Sequence, residues 1–154
     1  DKLGPSGISM PEIHEVSKDE WEKYGFDRHT ACDIVQEGDD TYTFRVNIDN
    51  VHLLTEIKAG SEDPRLSKSK FVFGNVLVGL SLIQYFKEQE KARGEHGANG
   101  NNEEQHGLPA EIPVTTFTRE MSRALAPFML PMINRLGALS EDEVGSLGTT
   151  GDDE

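Results

Sequence analysis

Phe71-Val72-Phe73-Gly74-Asn75-Val76-Leu77-Val78-Gly79-Leu80-Ser81-Leu82-Ile83-Gln84-Tyr85-Phe86 is a run of sixteen uncharged residues between Lys70 and Lys87, eleven of them apolar. Projected at about 100° per residue, the apolar positions go right round a helix, the pattern of a helix buried on several sides. At about 1.5 Å per residue the run reaches roughly 24 Å, short of the ~30 Å hydrocarbon core of a bilayer. Gly74, Asn75, Gly79, Ser81 and Gln84 interrupt it as well. The stretch therefore predicts a central core helix over about 66–92, following Asp63-Pro64. Gly74 and Gly79 would let another element approach closely, and Lys87-Glu88-Gln89-Glu90-Lys91 would project into solvent.

Upstream, Tyr42, Phe44, Val46 and Ile48 alternate with Thr43, Arg45, Asn47 and Asp49. Such period-two patterning means a strand with one face buried. Ala31-Cys32-Asp33-Ile34-Val35-Gln36 precedes it across Glu37-Gly38-Asp39-Asp40, where Gly and Asp suit a tight reversal. We expect an antiparallel hairpin over about 30–48. Two strands alone are barely stable, so the hairpin needs a helix against it. The fold class is α+β, strands early and helices late.

Downstream, Phe117, Met121, Leu125, Phe128, Met129, Met132, Ile133 and Leu136 recur at spacings of three and four. They predict a second helical region over about 115–136, capped by Thr115 or Thr116 and ending at Gly137. Pro127 and Pro131 fall inside it. Proline lacks the amide hydrogen and collides with the carbonyl four residues back, so a break is expected near Ala126, with Pro127 opening a further helix.

The ends read differently. Residues 1–16 carry Gly4-Pro5, Gly7 and Pro11 without periodicity and are expected to be a linker or arm. Ser17-Lys18-Asp19-Glu20 has the form of a capping box for a short helix through Trp21 and Tyr24, with Gly25 as its stop. Residues 94–107 contain no large apolar side chain and read as a flexible loop; 138–154 read as a disordered acidic tail. One domain over 17–137 remains. The start at Asp1 rather than Met suggests an internal or processed segment.

Composition narrows the function classes. The net charge is −13, and such a surface repels nucleic-acid phosphates and anionic membranes. A single cysteine, Cys32, allows no internal disulfide and no multi-cysteine zinc site in one chain, which fits a cytoplasmic setting. Among polar candidates, Asn47, Asp49 and Asn50 at the strand end could hold Mg²⁺ or a water, or could simply close the strand with side-chain-to-backbone bonds. His96 and His106 lie beside Glu95, Glu103 and Glu104, but a loop without order does not preorganise metal ligands. His29 near Cys32 has the parts of a nucleophilic pair without an orienting third group; Cys32 suits a small buried apolar position. Arg45 is placed on the outer strand face, where a phosphate contact is conceivable. No phosphate-binding loop and no G-x-S-x-G elbow occurs. No catalytic, cofactor-binding or metal-binding residue is assigned. Met121, Phe128, Met129 and Met132 could form a surface for a protein partner, because methionine-rich surfaces adapt to partner grooves, or could belong to the helix core that their periodic spacing also fits.

Three stretches carry a resemblance: Phe44 to Lys58 with its Asn47-Ile48-Asp49-Asn50 centre, Phe71 to Ile83, and Arg123 to Ile133. Together, covering about residues 20–137, they resemble the region downstream of the ATPase domain in uncharacterised prokaryotic ATP-binding proteins of the GHKL superfamily (gyrase, histidine kinase, MutL and MORC relatives). The superfamily's E-x-x-x-N helix, D-x-G-x-G loop and Gly-rich lid do not occur here, so no ATP or Mg²⁺ ligand carries over. The resemblance implies a part that relays nucleotide-driven closure, or that dimerises, in a larger ATP-binding protein. The alternatives are a stand-alone protein-interaction or scaffold domain and, less favoured, a metal-dependent hydrolase using Asp49.

Overall fold

The alternating run Tyr42–Asn47 forms the central strand of a three-stranded sheet, with Phe44 and Val46 fully buried on one face. The computed structural model describes residues 10–38, 40–96 and 113–139. Among them the order is β1 (Glu12–Val16), a 3₁₀ turn at Lys18–Glu20, α1 (Trp21–Tyr24), β2 (Cys32–Gln36), β3 (Tyr42–Asn47), α2 (Val51–Ala59), α3 (Pro64–His96) and α4 (Val114–Gly137). The fold is α+β. The β2–β3 hairpin is antiparallel, with Ile34 opposite Phe44 and Asp33 opposite Arg45.

Two local elements were not expected. Glu12–Val16, inside the segment read as a linker, is a strand parallel to β3, with Ile13 beside Phe44 and a fully buried Val16. Its apolar positions gain burial only once β3 supplies an edge, so five residues in isolation show no pattern. The second is α2. Asn50 caps it by accepting from the amides of His52 and Leu53, and Gly60 stops it at φ +70°. The turn after Ser17 and the stop of α1 at Gly25, φ +66°, fall where the sequence placed them.

α3 lies on the sheet, and α4 runs antiparallel beside α3. Their relative direction follows from the pairs Lys70–Asn134 near one end and Phe86–Phe117 near the other. Both expected glycine contacts occur. A Cβ at Gly79 would stand 2.7 Å from the Phe44 ring and 2.9 Å from Ile34 Cδ1; one at Gly74 would stand 2.7 Å from Met129 Sδ. These two residues set how closely the helices sit on the sheet and on each other. Burial of α3 is one-sided, however. Phe71, Val72, Val76 and Ile83 are buried, whereas Phe73 is 60% and Leu77 68% exposed. An apolar circumference in the sequence does not by itself supply enough neighbours within one chain to cover every side of the helix.

α4 is a single helix through Pro127 and Pro131, without the expected break. Both prolines are exposed, so the carbonyls freed by their missing amides can be hydrated. The opposite stripe, Thr118, Ser122, Ala126, Met129 and Leu130, is buried and holds the helix through packing. This stripe also closes the outer edge of β2. Ser122 Oγ accepts from the Cys32 amide at 3.2 Å and donates to the Cys32 carbonyl at 2.9 Å, and the Thr115 hydroxyl donates to the Ile34 carbonyl. An otherwise bare sheet edge is thereby satisfied.

On the sheet face away from α3, the fully buried Asp33 carboxylate accepts from Arg45 Nε at 2.7 Å, Arg45 Nη2 at 2.6 Å and Arg119 Nη2 at 2.6 Å. Arg119 also donates to the carbonyls of Tyr24 and Gly25 at 3.1 Å. One carboxylate thus ties β3 and α4 to β2. Arg45, also stacked 4.6 Å from the Tyr24 ring centroid, is engaged inside the fold. The loop expected over 94–107 begins inside α3; residues 97–112, and the tail from 140 on, lie outside the described residues.

Two outcomes are expected. Gly79→Ala should lower unfolding stability by about 1–3 kcal/mol, overpacking against a fixed ring outweighing the ~1 kcal/mol helix-propensity gain. Gly74→Ala, facing a flexible methionine, should stay within about 1 kcal/mol of the parent. Urea titration followed by circular dichroism reads both, and equal costs would show that α3 does not rest on the sheet at residue 79. In the same assay Asp33→Asn should cost about 3–5 kcal/mol, because it leaves two partly buried guanidinium groups without a counter-charge.

Candidate functional site

The polar candidates at the strand end are engaged by the fold. Asn47 Nδ2 donates to the carbonyls of Asp27 and Thr30 at 2.9 and 2.8 Å, while its Oδ1 accepts from Trp21 Nε1 and the Asp49 amide. Asn50 Nδ2 donates to the carbonyls of His29 and Thr30, and its Oδ1 caps α2. Asp49 accepts from the Lys18 amide at 2.7 Å. These three side chains bind the loop before β2 and the turn after β1 to the end of β3. The amide groups of Asn47 and Asn50, both buried, point into backbone rather than into open space.

Cys32 is buried, and that burial, with the neighbouring Asp33 carboxylate, pushes its thiol far above the ordinary range and keeps it protonated. Its sulfur lies 3.5 Å from the Asp33 carbonyl. His29 faces elsewhere, toward His52 with ring centroids 6.2 Å apart. These two histidines line an open cleft of about 710 Å³ with Arg119, Glu120, Arg123, Ala124 and Pro127. Burial and then the His29 charge hold His52 below the usual imidazole range. Both arginines are engaged: Arg119 on Asp33, and Arg123 on Asp27 at 3.2 Å. Burial pushes the Asp27 carboxyl upward, but the His29 amide and Arg123 draw it below its ordinary value. Among the described residues, no group of three or more His, Cys, Asp or Glu side chains is placed to hold a metal ion.

The largest unexplained feature is apolar. On α4, Met121, Leu125, Phe128, Met132 and Leu136 are 39%, 37%, 64%, 56% and 64% exposed. Their spacing of four, three, four and four makes one stripe, roughly a third of a turn from the Thr115–Arg119–Ser122 stripe that meets the sheet. On α3, Leu66, Phe73, Leu77 and Tyr85 are similarly open. Phe73 and Leu77 lie roughly 120–160° round the helix from Gly79, which touches the sheet. Both stripes therefore point away from the sheet, and because the helices lie side by side they form one surface. Of the four candidates for a partner surface, Met121, Phe128 and Met132 belong to it. Met129 does not: it is 9% exposed, with its sulfur against Gly74 and 3.5 Å from Asn75 Nδ2.

Sequence reasoning missed Phe73, Leu77, Leu125 and Leu136 as surface residues, since nothing in a periodic apolar pattern separates an inner stripe from an outer one. Charge is confined to the margins of this surface, where Lys70 lies between Leu66 and Phe73 and Arg135 beside Leu136. No charged residue lies between Lys70 and Lys87 on α3, or between Arg123 and Arg135 on α4. By length and composition α3 could cross a membrane, with 39% of its most apolar window buried inside the fold. That same helix supplies core residues against the sheet, as the core helix of a soluble protein does. No protein-family model matches the chain, and no curated protein or solved structure matches it significantly.

Proposed function

We propose that this chain is a non-catalytic, protein-binding assembly module of a larger cytoplasmic ATP-binding protein of the GHKL type, with the outer face of α3 and α4 as its contact surface. One observation carries the binding role: nine large apolar side chains stand open on two adjacent helices, the central ones in segments without charge. They leave on the order of 1,000 Å² of surface in water, above the roughly 300–600 Å² of the largest patch on a typical monomer. The GHKL assignment rests on the resemblance of Phe44–Lys58, Phe71–Ile83 and Arg123–Ile133. In this reading ATP and Mg²⁺ are held outside the segment, and α3 and α4 connect the nucleotide-driven part to a protein partner. A stand-alone scaffold domain would use the same surface and differs only in lacking an upstream ATPase.

Two measurements test this. Calorimetry with ATP and Mg²⁺ titrated into the chain should register no binding, and a micromolar interaction would overturn the non-catalytic assignment. Hydroxyl-radical footprinting of the full-length protein as the cell makes it should find Phe73, Leu77, Phe128 and Met132 protected to the level of core side chains. Labelling as rapid as at the exposed Met10 would sink the contact role.

A further inference from the structure

Resting on that protein-binding reading, we infer that the occupant of the α3–α4 face is a second copy of this chain, paired about a two-fold axis so that the two α3–α4 faces pack on each other. Area is the first argument. A standard interface buries roughly 800 Å² on each partner, and the apolar side chains open here supply an area of that order. An antiparallel helix pair with an apolar outer side is also half of a four-helix bundle, lacking only a matching pair.

Charge is the second argument. In an isologous contact each patch meets its own copy, so any net charge on it meets like charge. A face whose centre carries no charge meets its own copy without that repulsion. Phe73, Leu77, Leu125, Phe128 and Met132 come from the two charge-free segments, which the antiparallel register sets side by side: Gly74 lies against Met129 and Ile133, and Lys70 binds Asn134. A different protein partner would gain specificity from complementary charges, and the centre of this face offers none to read.

A lipid surface is the competing occupant, and it is disfavoured. Interfacial helices keep their polar side free for water and headgroups, whereas here the inner sides of α3 and α4 are committed to the sheet and to each other.

Sedimentation equilibrium of the 154-residue chain, from about 1 to 100 μM, tests the inference. A dimer is expected. Leu77→Glu and Phe128→Glu, singly and together, should raise its dissociation constant by at least roughly a hundredfold, with the far-ultraviolet circular dichroism spectrum unchanged. Lys58→Glu, on an exposed position of α2, should leave it unchanged. Should a glutamate variant unfold, Leu77→Ser and Met132→Ser provide the same test without adding charge. Leu77→Cys gives an independent reading, because the native Cys32 is buried and silent: a short bis-maleimide should link it into a dimer. A chain that stays monomeric to 100 μM overturns the inference, and so does a dimer indifferent to all these substitutions. Flotation with phosphatidylcholine vesicles would overturn it in favour of lipid. In each case the protein-binding reading is judged separately by the footprint of the full-length protein.

Discussion

A helix can lie against a sheet only as closely as the side chains between them permit, and at residue 79 nothing stands between them. Gly79 brings the α3 backbone down onto Phe44 and Ile34, at the centre of the hairpin. From that contact the rest of the helical layer takes its place. Phe71, Val72, Val76 and Ile83 are set against the core, Gly74 is turned to receive Met129, and α4 is drawn in alongside. A hairpin of two short strands would be marginal in water. Here it has a third strand on one side, a helix on its face, and the hydroxyls of α4 on its remaining edge.

The opposite sheet face carries charged and amide side chains, and its stability follows from their pairing, while the buried Thr43 hydroxyl on that face finds no partner. A buried carboxylate stripped of water costs several kcal/mol unless its lone pairs are met. Asp33 meets two guanidinium groups, and the Asn47 side chain meets Asp27, Thr30, Trp21 and Asp49. Because Arg119 comes from α4, this network also fixes the rotation of that helix. The same ion pair that closes the polar face therefore decides which stripe of α4 turns outward.

How much of this could be read from the residues differs by element. The hairpin and α3 were legible because their signals are local: strict alternation from Tyr42 to Asp49, and sixteen residues without charge. Gly74 and Gly79 were legible as points of close approach for the same reason. β1 was not, because its pairing partner lies some thirty residues downstream. The stops of α2 were present in the letters, Asn50 before it and Gly60 after it, but its mixed apolar content kept it from standing out. Pro127 and Pro131 misled because a proline's cost is usually reckoned for a helix on its own. In this fold the buried stripe outweighs that cost, and both rings sit where water reaches. The strand-end residues Asn47, Asp49 and Asn50 proved legible as chemistry but not as roles: the letters permit either an ion site or a set of backbone ties, and only their partners decide.

The outer face is the one feature that no local reading gives. Its two halves are separated by a stretch of some forty residues, and each alone resembles an ordinary core helix. They become a surface because α3 and α4 are antiparallel in a register that places the charge-free part of one at the height of the charge-free part of the other. Had the register slipped by a few turns, Lys87, Glu88 and Glu90 of α3 would stand beside Phe128 and Met132, breaking the apolar continuity. Nothing in the packing of α4 on the sheet requires the outer stripe to be apolar, since that stripe contributes little to the core. Exposed leucine, phenylalanine and methionine at those positions gain nothing in an isolated chain, where polar residues would serve helix and solubility equally well.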